Sequence, residues 1–217
     1  WERLVQRARR LMTVLQSRVP GRKVYHFFLR APIAFGVGLG AALGTKYEFL
    51  FHHFQPAAGE QSYHPILRVT SETVGGEGAH VLKTRVQGFQ HLQASGLEQA
   101  QGQVYVAVGL TGHDPSPVQT LAEQASVSFV NIHSSFQGTI PIETDWLLIA
   151  REVNTILLKL LGNSKVEELH LFPAVPLPLA FAIGMGLDTR SPVRVYHWEA
   201  PRKEYQEVLH LNELAAG

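Results

Sequence analysis

The sequence predicts an α/β fold of two similar halves, each a mainly parallel sheet covered by helices. Three observations carry this. The chain has 217 residues, 45% hydrophobic and 17% charged, against roughly 25% charged in an average soluble domain, so it buries a large core and is not disordered. Short β-branched and aromatic runs alternate with apolar helical patterns, which calls for crossover connections and parallel strands. The chain also resembles itself at a nearly fixed displacement.

Taken in order, residues 1–17 place Leu4, Val5, Ala8, Leu11, Met12 and Leu15 on one face and Arg3, Arg7 and Arg10 on another, an amphipathic helix that Gly21 closes. Residues 24–29 follow as a strand, and Pro32, tolerated in a first helical turn, opens an apolar helix over residues 33–43. Residues 47–54 and 65–70 read as strands, and Gly75, Gly76 and Gly78 form a turn before a strand at 81–86. The polar stretch 87–103 gives no clear period. Residues 104–108 are a strongly β-branched strand ending in a Gly109 to Asp114 loop, and Asp114-Pro115 starts a helix running through Ala125. A strand at 126–132 comes next. Thr144 or Asp145 caps a helix over 146–161 that Gly162 ends, and a strand at 166–172 follows. After the turn broken by Pro173, Pro176 and Pro178 come a helix at 179–187 and strands at 193–198 and 207–211. The uncharged run 171–187 approaches the length that crosses a bilayer, but its prolines leave backbone groups that lipid cannot satisfy, so it reads as strand, turn and core helix.

The repeat aligns Pro32 to Leu39 with Pro178 to Met185, Phe51-His52-His53 with Tyr196-His197-Trp198, and Tyr63 to Leu67 with Tyr205 to Leu209, displacements of 146, 145 and 142. This implies a duplicated unit of helix, strand, apolar helix, strand, strand.

A net charge of +1 gives no overall field for non-specific nucleic-acid binding, so an anionic ligand must be held locally. The absence of cysteine removes thiol catalysis, thiolate zinc sites and disulfides. Eleven histidines lack the spacing of a metal motif, and no nucleophile elbow or phosphate-binding Gly-Lys-Ser/Thr loop occurs. Gly36, Gly38, Gly40 and Gly44 fall inside a helix and have the wrong spacing for a dinucleotide fingerprint, so they read as close packing. No residue is assigned a catalytic role, and no metal or cofactor is expected.

Open parallel sheets bind ligands beyond the carboxyl ends of their strands. Arg30, at such an end, is placed to take an anion together with helix amides, or to close a salt bridge between the halves. The Gly109 to Gly112 loop suits either a phosphate or a plain turn. Phe172, Trp198, His197 and Phe136 stand near strand ends, where a base stacks or a core packs. Alternation sets Tyr196 and Trp198 on one face and His197 on the other.

Residues 169–184, with Val193 to Trp198 and Tyr205 to Leu211, resemble the SAVED domain, the cyclic-oligonucleotide sensor of bacterial CBASS anti-phage effectors. The resemblance implies two fused CARF-like Rossmannoid subdomains, here residues 1–140 and 141–217. It implies a receptor rather than an enzyme, binding a cyclic di- or trinucleotide between its halves and forming a ligand-induced homo-oligomer, tetramer or filament, that activates a fused effector. An HNH DNA endonuclease is the expected effector, joined before Trp1, which reads as the start of an excised segment. The ligand shell carried over by position is Arg30, Leu110, Thr111 and His113 from the first half and Phe172, Pro173, His197 and Trp198 from the second. The implied setting is the bacterial cytoplasm, with no membrane association and no direct DNA binding by this domain. A phosphodiesterase degrading a cyclic oligonucleotide is the alternative, and a Rossmann-like enzyme for an unrelated nucleotide or sugar is a third reading.

Overall fold

A computed structural model describes residues 1–21, 23–57, 60–70 and 80–216. The turn expected at Gly75, Gly76 and Gly78 lies outside them. Helices α1 (Glu2–Arg18), α2 (Ile33–Leu43), α3 (Ser116–Ala125), α4 (Trp146–Leu161) and α5 (Leu177–Leu187) alternate with strands β1 (Val24–Phe28), β2 (Glu48–Ala57), β3 (Glu60–Val69), β4 (Leu92–Ser95), β5 (Gly102–Gly109), β6 (Ser128–Ser134), β7 (Val166–Ala174), β8 (Val193–Glu199) and β9 (Glu204–His210). One sheet has the order β1-β2-β3, the other β4-β6-β5-β7-β8-β9. The larger sheet is parallel at β6-β5-β7-β8 and antiparallel at both edges, while the smaller has one pair of each kind. The expected 140/141 boundary falls between β6 and β7, strands of one sheet, whereas the sheets themselves divide the chain between β3 and β4.

Helices α2 and α5 are apolar all round and almost wholly buried, as befits elements with protein on every side. Phe181 of α5 packs on Phe27, Phe49 and Phe51 of the small sheet, at centroid distances of 5.5, 5.1 and 4.7 Å. A Cβ placed on Gly38 of α2 would meet Leu209 of β9 in the large sheet at 2.6 Å and Val5 of α1 at 3.2 Å. The helix pair therefore lies between the two sheets, flanked by α1 beside α2 and α4 beside α5. Close approach explains Gly36, Gly38 and Gly40, as expected, whereas Gly44, expected inside the helix, follows its last residue at positive φ with open space around it.

The two halves superpose in chemistry at a displacement of 144, shorter than the helix alignment of 146 and the strand alignment of 145. Pro32 and Pro176 both cap their helices in an extended conformation (φ −59°, ψ 145° and φ −57°, ψ 143°), and Gly44 and Asp188 both end them at positive φ (59° and 58°). Bulges fall between Phe51 and His52 and between Val195 and Tyr196. Past the bulge the hairpins pair Phe51 with Leu67 and Val195 with Leu209, which returns the displacement of 142 read from the sequence. The duplicated unit is thus α1-β1-α2-β2-β3 and α4-β7-α5-β8-β9, with β4-β5-α3-β6 between them.

Residues 81–86, expected as a strand, begin instead with a single 3-10 turn at Val81–Lys83. His80 Nδ1 accepts from Leu82 N at 3.2 Å, and Asn154, fully buried on α4, donates to the carbonyls of Leu82 and Ala182 at 3.2 Å each. These tertiary bonds override the β-branched propensity of the segment.

The inserted unit covers the outer face of the large sheet: Val118 of α3 joins Ala107 and Phe172 in a second core cluster with Tyr105, Leu121, Phe129, Tyr196 and Tyr205 against it. The small sheet carries the same ring arrangement in the open. Phe28 stacks on His52 at 4.2 Å and meets Tyr63 edge-on at 5.3 Å; Phe172 stacks on Tyr196 at 4.3 Å and meets Tyr205 edge-on at 5.0 Å. Phe28 is 55% exposed and Phe172 only 2%. Phe172→Ala is therefore expected to destabilise by about 3–5 kcal/mol, and Phe28→Ala, at the equivalent position, by less than about 1 kcal/mol. Urea midpoints of the two variants check this; equal losses would mean that the outer face of the small sheet is covered in solution.

Candidate ligand site

Contacts along α2 and α5 run in the same order, with Gly36 against Leu177 and Ala180 and Gly40 against Phe181 and Met185, so the helices are parallel and their N-termini emerge side by side. The amides of Ile33 and Ala34 precede the first turn bond of α2, Phe35 N–H to Pro32 O at 3.1 Å; Leu177 does the same in α5, whose next residue, Pro178, has no N–H. Paired helix N-termini attract negative charge through unpaired N–H groups and aligned dipoles.

A cavity opens on each side of these N-termini. The first, about 370 Å³, is lined by Ile33, His113, Asp114, Pro117, Pro173, Ala174, Tyr196, His197, Trp198 and Tyr205. The second, about 520 Å³, is lined by Leu29, Arg30, Ala31, His53, Phe54, Tyr63 and Leu177. They share the β1–α2 and β7–α5 loops, because Arg30 and Ala31 line one and Ile33 the other, just as Ala174 and Leu177 are divided. They are also pseudo-equivalent: His53, Phe54 and Tyr63 stand where His197, Trp198 and Tyr205 stand in the other half. Trp198 meets Tyr205 edge-on at 5.0 Å, and Phe54 meets Tyr63 at 5.4 Å.

The cavities differ in charge and in cover. Arg30 is exposed, without an ion-pair partner among the described residues, and its counterpart is Ala174. The first cavity gains a wall from the β5–α3 loop, which the small sheet lacks. In that loop Leu110 O accepts from Oγ–H of Ser134, the last residue of β6, at 2.8 Å, and Gly112, at φ +78°, lies so close to Gln137 that a Cβ would meet its Oε1 at 2.6 Å. Asp114 accepts from the N–H and Oγ–H of Ser116 at 2.9 and 2.6 Å, and these bonds hold its carboxyl below the usual carboxylate range. Thr111 Oγ1 stands 3.0 Å from His113 Nδ1.

Tyr196 anchors the floor of the first cavity. Its hydroxyl donates to Glu207 Oε2 at 3.1 Å and stands 2.9 Å from His170 Nδ1. Burial, then the Glu207 charge, pushes the phenol well above its ordinary pKa, and burial pushes His170 down, so both are neutral at pH 7. Burial also lowers His53 and raises Tyr205. Tyr196, Tyr205 and His53 thus give the cavities uncharged aromatic surfaces, suited to stacking on a flat heterocycle, beside the Asp114 carboxylate of the first and the Arg30 guanidinium of the second.

Of the eight residues expected in the ligand shell, His113, Pro173, His197 and Trp198 line the first cavity and Arg30 the second. Leu110 is fully buried and Phe172 lies 2% exposed beneath Tyr196, so both belong to the core and not to the cavity wall. Thr111 stays partly exposed behind His113. Tyr196, His197 and Trp198 line one cavity despite their alternation, since it opens at the strand end and receives side chains from both faces. The expected shell lacked Ile33, Asp114, Pro117, Ala174, Tyr196 and Tyr205 of the first cavity and the whole second cavity except Arg30, although the repeat, set at the right displacement, leads from His197 and Trp198 to His53 and Phe54.

No group of three or more potential metal ligands is found among the described residues, and no described helix is long and apolar enough to cross a membrane.

Residues 6–211 match the family described as "SMODS-associated and fused to various effectors sensor domain", SAVED. No curated protein sequence matches the chain. Among solved structures, a Cap4 SAVED/CARF-domain containing receptor of Acinetobacter baumannii with the cyclic trinucleotide 2′3′3′-cAAA matches with a TM-score of 0.65 and 18% identity, over 97% of this chain and 42% of that one. The same receptor with 3′3′3′-cAAA also gives 0.65 and 18%, over 96% and 43%. A Cap4 receptor of Moraxella osloensis gives 0.63 and 17%, over 98% and 42%. These likenesses carry the fold, and the chain spans about two fifths of the length of the receptors it matches.

Proposed function

We propose a function from one premise: the chain belongs to the SAVED family. It is a receptor for a cyclic oligonucleotide, di- or trinucleotide, that seats its ring phosphates over the paired N-termini of α2 and α5 and its bases in the two flanking cavities. The observation that carries this is the pseudo-equivalence of the cavities. A ligand of repeating nucleotide units meets a repeated set of one histidine and two aromatic rings, one set on each side of a positive electrostatic seat to which Arg30 adds a full charge. The cyclic trinucleotides held by the similar receptors are the chemistry such a site accommodates. Binding drives self-association into a tetramer or filament that activates an effector fused to this segment, an HNH endonuclease on the family resemblance, in the bacterial cytoplasm during anti-phage defence.

The test is isothermal titration of the chain against a panel of cyclic di- and trinucleotides, with size-exclusion chromatography of each mixture and recovery of the ligand. Saturable binding of one member, recovered intact, with a shift to larger species is the expected result. Recovery of a linear product would assign a phosphodiesterase instead, and no binding across the panel would overturn the receptor reading.

A further inference from the structure

The pseudo-equivalent cavity histidines, His197 and His53, are each packed by a tryptophan from the opposite half. Trp1, the cap residue of α1, stands 5.4 Å from His197 of β8, with the ring planes at 49°. Trp146, the first residue of α4, stands 5.4 Å from His53 of β2, also at 49°. Helix α1 belongs to the first repeat and His197 to the second; α4 belongs to the second and His53 to the first. The pairing is kept although the two tryptophans stand one position apart in their helices, Trp1 before the first helical residue and Trp146 at it.

The contact fixes a ring that its strand leaves free. A histidine near the end of a strand has two soft side-chain torsions, and an imidazole turned away from the cavity offers a ligand neither its face nor its N–H. Packing one side of the ring against an indole removes that freedom before the ligand arrives, which strengthens binding by lowering the ordering cost. Trp146 is itself anchored, 1% exposed with its Nε1–H donating to Pro141 O at 3.1 Å. Trp1 is 42% exposed, its carbonyl accepting from Leu4 N and Val5 N at 3.0 and 3.1 Å and its ring meeting His197.

We infer that Trp1 and Trp146 are positioning residues that hold the cavity-facing imidazoles of His197 and His53 for a nucleotide ligand, so that each half completes the other's cavity. This rests on the proposed ligand class. It also makes Trp1 a reporter of occupancy, since a ligand that engages His197 alters the ring beside it.

The experiment compares the chain with its Trp1→Ala, Trp1→Phe and Trp146→Phe variants. Histidine Cε1–H resonances are recorded without ligand, affinities for 2′3′3′-cAAA and 3′3′3′-cAAA are measured by titration, and urea midpoints serve as the folding control. Trp1→Ala is expected to move the His197 resonance by loss of the indole ring current, to weaken binding of whichever trinucleotide the wild type takes by about tenfold, and to leave the midpoint nearly unchanged. Trp1→Phe should restore most of the affinity, and Trp146→Phe should move the His53 resonance. Wild-type affinity in Trp1→Ala, or an unmoved His197 resonance, would overturn the inference. A wild-type chain that binds neither trinucleotide would overturn the ligand class tested here while leaving the resonances to decide whether the tryptophans hold the imidazoles.

Discussion

Gly184→Ala is expected to destabilise the fold by about 3 kcal/mol or more, and Gly40→Ala to do the same. A Cβ on Gly184 would lie 2.0 Å from the carbonyl oxygen of Val37 and 2.9 Å from the amide of Ala41; one on Gly40 would lie 2.0 Å from the oxygen of Phe181 and 3.0 Å from the amide of Met185. The obstacle is helix backbone in both cases, so relief requires the helices to separate, and both are packed between two sheets. Alanine gains about 1 kcal/mol of helix propensity over glycine, too little to offset this. Gly36→Ala is the informative control. Its closest neighbour is the Cδ1 of Leu177, the end of a flexible side chain at 2.6 Å, so a rotamer change accommodates it and the loss should stay within about 1 kcal/mol. Urea unfolding of the three variants separates these cases. A Gly184→Ala protein as stable as the wild type would mean that the helix pair is looser than described and that its N-termini do not share one seat.

That helix pair marks both the reach of the sequence and its limit. The apolar composition of α2 and α5 identified buried helices, and the matching segments identified a duplication, but not its register. Prolines at 173, 176 and 178 are nearly interchangeable in a sequence match, and aligning Pro32 with Pro178 maximises likeness. The backbone selects Pro176, because only there does the cap conformation of Pro32 recur. Helix α4 was legible to the residue because its signals are local: Asp145 accepts from Leu148 N–H at 2.9 Å and Gly162 follows the last turn. The stretch 87–103 was opaque because its order is tertiary. Fully buried Glu152 of α4 accepts from the amides of Gln90 and His91 at 2.7 and 3.1 Å, and β4 is held by pairing with β6 some forty residues on. At the cavities, the placement of strand-end residues such as Arg30, His197 and Trp198 in the lining was legible from position alone. The burial of Leu110 and Phe172 was not legible because a loop or strand-end position does not say whether a side chain turns inward, and the neighbours they meet, Ser134 at the end of β6 and Val118 of α3, are brought in by tertiary structure.

The site makes the second large prediction, that Trp198→Ala weakens binding of the cyclic trinucleotide ligand by about ten- to a hundredfold without lowering stability. Trp198 is 40% exposed and lies against Tyr205 at the mouth of the first cavity, so its removal opens no core. Loss of one base–aromatic stack is worth about 1–3 kcal/mol. Phe54→Ala, at the pseudo-equivalent position of the second cavity, should cost less, since phenyl offers a smaller face than indole and that cavity lacks the β5–α3 wall. Arg30→Ala should differ from both in kind: it removes the charge from the second cavity, so affinity should fall and the salt dependence of what remains should flatten. Titrations at two salt concentrations distinguish the three. If Trp198→Ala and Phe54→Ala both bind as the wild type does while Arg30→Ala does not, the cavities do not hold bases and the ligand is read through its phosphates alone. If Trp198→Ala alone loses affinity, the pseudo-equivalence is structural without being functional. Losses at both aromatic positions, the smaller at Phe54, are what a ligand of repeating units requires, since only such a ligand presents the same flat group to both halves of a duplicated chain.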